Sequence, residues 1–144
     1  METQQRVGTV GSWRTVSLPR HTDGRGSLSA VEADEALGFE IRRVYYLYDV
    51  PGDAVRGGHG HRRLEQLLLA VHGSFRITLD DGFSRDTVVL DDPARGLLIG
   101  PMVWRELTGF SPGAVALVLA SRPYEDADYY RDRDTFLRDA RRQP

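Results

Sequence analysis

RGGHGHRRLEQLLLAVHG, residues 56–73, sets two histidines one residue apart, behind a pair of glycines and ahead of an unbroken apolar run. Successive side chains of an extended chain leave by opposite faces, so His59 and His61 project side by side if this stretch is a strand. Glycine at 57, 58 and 60 leaves the backbone open to a ligand on that side. The run that follows, Leu67 to Val71, is apolar at every position, which suits a strand covered on both faces.

The same texture extends in both directions. Short apolar or alternating runs separated by turn residues predict strands over 10–18, 26–32, 42–50, 65–72, 75–80, 87–90, 96–99, 103–108 and 115–120. Asp80-Asp81-Gly82 is a strong hairpin signal, and Gly73-Ser74, Ser111-Pro112-Gly113 and Asp91-Asp92-Pro93 mark further turns. After Pro123 the character changes. A tail over 124–144 carries one short helix, predicted from Asp134 to Arg142, with Phe136, Leu137 and Ala140 at helical spacing. The pattern is that of one all-β domain spanning 1–144, a sandwich or barrel with a C-terminal helix. VALVLA at 115–120, like LLLAV, is apolar on both faces, so something covers the second face. The C-terminal segment, a second subunit or the rest of the monomer are the choices, and a homodimer is the expectation carried forward.

Composition excludes several function classes. The 144 residues suit a single core, with 40% hydrophobic and 28% charged residues and no apolar span long enough for a bilayer. METQQRVGTVG lacks the basic and apolar segments of a secretory signal, and cysteine is absent, so a cytoplasmic protein without membrane contact is expected. All nineteen basic residues are arginines, interspersed with acids to a net charge of -2, which offers no continuous face to nucleic acid. A few inward-pointing arginines would still hold a small anion, because the guanidinium fork matches phosphate oxygens two at a time.

The histidine pair resembles the first motif of the cupin superfamily, a double-stranded β-helix or jelly roll. The matching positions are His59, His61, Gln66 and Gly73, followed by Pro101, Val103 and Glu106 for the second motif. Metal-binding cupins use both histidines, a glutamate and a further histidine. Here those last two positions hold Gln66, a weak neutral ligand, and Glu106. His21 and His72 fit solvated roles better, so no metal and no other cofactor is expected. Two histidines with Glu106 keep a metallo-cupin as the competing reading.

Longer stretches narrow the resemblance. DGRGSLSAVE (23–32), FEIRRVYYLYDV (39–50), RGGHGHRRLEQ (56–66), GSFRITLDDG (73–82), VWRELTGFSPGAVALVLAS (103–121) and DYYRDRDTFL (128–137) are similar to the WxcM-like sugar 3,4-ketoisomerases. That resemblance implies a metal-free cupin, a homodimer, and conversion of dTDP-4-keto-6-deoxyglucose to its 3-keto isomer on the route to deoxyamino sugars. Moving a ketone from C4 to C3 needs a base, an acid and an oxyanion stabiliser, and imidazoles with an ordinary pKa near 6.5 suit proton transfer at neutral pH. The resemblance assigns His59 as the base and Tyr45 as an active-site phenol, with His61 orienting the substrate or shuttling a proton. Arg25, Arg56 and Arg105 are the candidates for the diphosphate and sugar, and Glu106, beside Trp104 and Arg105, is a further substrate-binding candidate. Trp104 either fills core or stacks on the ligand, and Gln66 hydrogen-bonds the sugar or organises His61. Arg25 is alternatively a turn residue, and the stretch Tyr124 to Tyr130 has no assigned role. Alternatives to isomerisation are epimerisation of a dTDP-4-keto sugar and a cupin that binds without turnover.

Overall fold

A computed structural model of the chain describes residues 3–7, 12–32 and 37–142. In chain order the strands are β1 (Thr3–Val7), β2 (Ser12–Ser17), β3 (His21–Asp23), β4 (Gly26–Leu28), β5 (Arg43–Leu47), β6 (Arg56–His61), β7 (Gln66–His72), β8 (Phe75–Asp80), β9 (Arg85–Leu90), β10 (Arg95–Ile99), β11 (Trp104–Thr108), β12 (Val115–Ala120) and β13 (Tyr129–Tyr130). A 3-10 turn, Asp126–Asp128, precedes β13, and one helix, α1 (Arg133–Arg142), ends the fold. The runs expected at 75–80 and 115–120 form strands with those bounds. Val10, the expected start of another, lies outside the described residues.

Six strands form one sheet in the order β1-β2-β10-β7-β12-β5, and five form a second in the order β13-β6-β11-β8-β9. Alternation divides their residues. Leu68, Ala70, Leu97, Ile99, Ala116 and Val118 of the six-stranded sheet meet Phe75, Ile77, Leu79, Val88, Leu90 and Leu107 of the other in one core. The two sheets therefore pack face to face as a jelly-roll sandwich with antiparallel neighbours. No helix among the described residues is long and apolar enough to cross a membrane.

The second face of the two-sided strands has a cover other than the C-terminal segment. Leu67, Leu69, Leu98 and Leu119 pack under Leu37, with Leu18, Val31, Phe39 and Ile41 closing around them. This cover is irregular chain from the same molecule. It leaves Val44, Tyr46, Tyr48 and Val71 exposed at the side of β5 and β7.

Helix α1 instead packs on the outside of the five-stranded sheet. Asp132 caps it, its carboxylate accepting the Thr135 N–H at 3.1 Å, and Arg141 and Arg142 sit in the last turn where the helix dipole favours cations. Phe136 and Ala140 are fully buried against Met102, Trp104 and Tyr130. The contact is close enough to dictate the sequence of β6: a Cβ on Gly60 would lie 2.9 Å from the Phe136 ring.

Candidate active site

Between the sheets the sandwich opens into a cavity of about 470 Å³. Its floor is aliphatic: Leu47, Leu68, Leu107 and Val118. Arg43, Arg56, Arg105 and Arg131 line it together with Tyr45, His59, Gln66, Tyr124 and Tyr129, and none of the described lining residues is a carboxylate.

β6 delivers the histidines as its pleat requires. The His59 and His61 rings stand side by side, centroids 4.8 Å apart at 77°. His59 faces the cavity, whereas His61 is 0% exposed and sits behind it, its ring 4.3 Å from that of Tyr129. Gly57 has φ of 80° and a Cβ there would lie 3.1 Å from the Arg105 carbonyl oxygen, so the strand reaches this register only with glycine at that position.

Both imidazoles are held as free bases. Burial, followed by the charge of Arg105, pushes the His59 pKa down from 6.5 to about 4. The same two causes, in the same order, with His59 itself next, drive His61 further down. A neutral imidazole at neutral pH accepts a proton without first having to lose one.

Arg105 anchors a relay. It is 2% exposed, and its guanidinium donates to the Val103 carbonyl at 3.0 and 3.2 Å and to Gln66 Oε1 at 2.6 Å. Burial lowers its pKa to about 10, which still leaves it charged at neutral pH. No salt bridge neutralises it among the described residues. Gln66 Nε2 in turn donates to the Tyr45 hydroxyl oxygen at 2.9 Å. Guanidinium has only donors, so it fixes the amide with oxygen inward and nitrogen outward. The Tyr45 oxygen is thereby an acceptor within the relay, and its own O–H remains available to a ligand. Burial raises the Tyr45 pKa, which keeps that proton in place.

The placement sorts the expected site residues. His59, Tyr45, Gln66, Arg56 and Arg105 meet at the cavity, and Gln66 organises Tyr45 rather than His61. Trp104 and Glu106 do not belong to it. They leave β11 on the face opposite Arg105, where the indole N–H donates to Glu106 at 3.1 Å and the ring packs on Phe136 at 5.7 Å. Trp104 is therefore core beneath α1, and Glu106 does not join the histidines as a third ligand. Among the described residues no three His, Asp or Glu side chains converge as a metal site. Arg25 is likewise outside its own chain's cavity: it sits at the β3–β4 turn, 91% exposed, and donates to Asp23 through both backbone and guanidinium at 2.8 Å.

Other cavity residues escaped the sequence reading. Arg43 lies two residues before Tyr45 on the same strand face, so alternation alone would have found it; its Nε is buried without a hydrogen-bond partner. Tyr124, Tyr129 and Arg131 come from the tail, where β13 pairs with β6 through Tyr129 opposite His61. A two-residue strand carries no periodicity to detect.

Comparison with known proteins adds the lineage of this arrangement. The family model for FdtA, described as WxcM-like, C-terminal, matches residues 12–141. A TDP-4-oxo-6-deoxy-alpha-D-glucose-3,4-oxoisomerase from Aneurinibacillus thermoaerophilus is 44% identical over 123 residues, 85% of this chain and 88% of that protein. The crystal structure of a 3,4-ketoisomerase from Helicobacter canadensis superposes with a TM-score of 0.87 at 43% identity, covering 90% of this chain and 97% of the other. A mutant of the 3,4-ketoisomerase QdtA from Thermoanaerobacterium thermosaccharolyticum, in complex with TDP-4-keto-6-deoxyglucose, gives 0.88 at 37% identity, covering 91% and 95%. The rmlC epimerase of Mycobacterium tuberculosis shares the fold, with a TM-score of 0.74 at 19% identity over 88% of this chain and 72% of that one. Fold, cavity and sequence agree: the chain belongs to the FdtA, WxcM-like family.

Proposed function

We propose that the chain is a sugar-nucleotide 3,4-ketoisomerase, acting on TDP-4-keto-6-deoxyglucose to give the 3-keto isomer. The observation that carries this reading is the charge pattern of the cavity. A neutral histidine faces a buried, unneutralised arginine in a pocket lined by four arginines and no described carboxylate. Such a site suits a ligand that is anionic at one end and develops an oxyanion at the other.

The chemistry follows from the groups present. His59 removes the C3 proton, whose electron pair forms the C3–C4 double bond while the C4 oxygen becomes an oxyanion. The Tyr45 O–H and the Arg105 charge stabilise that oxygen. Protonation of the C4 oxygen, loss of the O3 proton and protonation at C4 complete the isomerisation, two protons leaving and two returning, with His61, buried behind His59, in the relay rather than against the sugar. Arg43, Arg56 and Arg131 at the cavity wall are the groups for the diphosphate, and Tyr124 and Tyr129 offer ring faces. No step calls for a metal. The exposed apolar strip of Val44, Tyr46, Tyr48 and Val71 supports a homodimer, and we place the enzyme in the cytoplasm.

Incubation with dTDP-4-keto-6-deoxyglucose in D2O, followed by proton NMR, tests this. Ketone migration with deuterium at C4 is expected. Washout at C3 and C5 without migration would mean epimerisation, and an unchanged sugar would mean a binding module. Metal analysis of the active sample tests the metallo-cupin alternative.

A further inference from the structure

Asp128 is a carboxylate buried in the same part of the molecule as the histidine pair, yet it does not line the cavity. It is 3% exposed, and its two oxygens sit on consecutive backbone amides just past His61: Oδ1 accepts Arg63 N–H at 2.8 Å and Oδ2 accepts Leu64 N–H at 3.2 Å. The backbone around it is locked as firmly. Arg62 N–H donates to the Asp128 carbonyl at 2.9 Å, and the Arg62 guanidinium donates to the carbonyls of Ala127 and Tyr129 at 3.1 Å. From this fixed position Oδ2 lies 3.5 Å from His61 Nδ1. Both ring nitrogens of His61 are buried and have no hydrogen-bond partner within the chain.

We infer that Asp128 is a positioning residue for the ketoisomerase reaction proposed above, holding His61 in the tautomer with hydrogen on Nδ1 and the lone pair on Nε2. A neutral imidazole has one donor and one acceptor nitrogen, and its neighbour decides which is which. An ionised carboxylate only accepts, so the nitrogen facing it must carry the hydrogen. The separation of 3.5 Å is longer than a formed N–H···O bond, and catalytic hydrogen bonds in ligand-free enzymes commonly tighten only when substrate is bound. Nε2 is then the proton-accepting atom in a pocket shared with the His59 and Tyr129 rings, whose centroids lie 4.8 and 4.3 Å from that of His61. A proton taken up by His59 has an adjacent basic nitrogen to move to, and the direction of that relay is set from behind the site by a residue that never meets the sugar.

Nitrogen-15 NMR of the imidazoles in the full-length protein, alone and with dTDP bound, reads the tautomer directly. For His61 in the unmodified protein, a pyrrole-type Nδ1 and a pyridine-type Nε2 are expected near neutral pH. The opposite assignment, or an equal mixture in both states, overturns the inference. Asp128→Asn preserves shape but offers an amide N–H to Nδ1. It should shift His61 towards the Nε2–H form and lower kcat by about 10²–10⁴-fold, the range of a positioned acid–base group, with KM little changed. An unchanged kcat, or a loss of kcat without a change of tautomer, also overturns it. If that variant fails to fold, the tautomer of the unmodified protein still decides. Because the NMR readout needs no turnover, an Nδ1–H tautomer in a protein that fails to isomerise the sugar would refute the reaction and leave the positioning intact.

Discussion

Gln66→Glu tests the relay behind Tyr45 with a change of one atom. In the native chain Arg105 takes the amide oxygen at 2.6 Å, which forces the amide nitrogen to donate to the Tyr45 oxygen at 2.9 Å and leaves the phenolic hydrogen for the substrate. A glutamate in the same place has only acceptors. It pairs with Arg105, now as a charge-assisted bond, and accepts the Tyr45 hydrogen, turning that donor away from the cavity. The variant should therefore be at least as stable as the native chain and still be a poor catalyst. Loss of one oxyanion donor costs about 10²–10³ in kcat, or about 2.7–4 kcal/mol of transition-state stabilisation. Initial rates of ketone migration by NMR, with thermal melts on the same samples, measure both quantities. Tyr45→Phe should match the loss, and the double variant should lose little more than either single one, since both delete one hydrogen bond. A Gln66→Glu enzyme with native kcat, or a double variant whose losses multiply, would refute the orientation argued for Tyr45.

Other expectations follow from the same geometry. His59→Ala should fold normally and lose about 10²–10⁴-fold in turnover, measured in the same assay. Because His59 is pushed down to about 4, the acidic limb of kcat/KM in the native enzyme should fall near pH 4 rather than near 6.5. Arg105→Gln should move that limb part of the way up, burial being the larger cause and the guanidinium the smaller. The sign for stability is the same: the unfolded chain binds more protons between about pH 6.5 and 4, so the melting temperature should drop on acidification through that window, with a shallower slope in His59→Ala. Phe136→Ala should cost about 3–5 kcal/mol in denaturant unfolding, as a fully buried aromatic does; a loss below about 1 kcal/mol would mean that α1 is not seated on the sheet. Trp104→Phe, beneath that helix, should leave KM for the sugar nucleotide unchanged.

What was legible in the sequence followed its periodicity. The Phe75–Asp80 strand alternates cleanly and the Val115–Ala120 strand is a continuous apolar run, and turn residues bound both, so their limits could be read directly. The His59-x-His61 pair declared its common face for the same reason. Applied to β11, that rule also separates Arg105, which points inward, from Trp104 and Glu106, which do not. Motif proximity had grouped all three. The cover of the six-stranded sheet was invisible because Leu18, Val31, Phe39 and Ile41 belong to irregular chain and share no repeat. Asp128 and Tyr129 were hidden more deeply. Their positions depend on a pairing with β6 more than sixty residues away, and nothing local in an acidic, aromatic tail specifies it.

The strapping of Asp126–Tyr130 to the histidine strand separates folding from competence along the growing polypeptide. Among the described residues, every buried residue of the main core lies at or before Val118, whereas the rings and charges that finish the cavity wall begin at Tyr124. During synthesis the sandwich has the apolar residues of its main core before His59 and His61 acquire their final surroundings. A chain that stops before Tyr124 would leave Met102 and Trp104 without the Tyr130, Phe136 and Ala140 side chains that cover them, and the cavity without Tyr124, Tyr129 and Arg131.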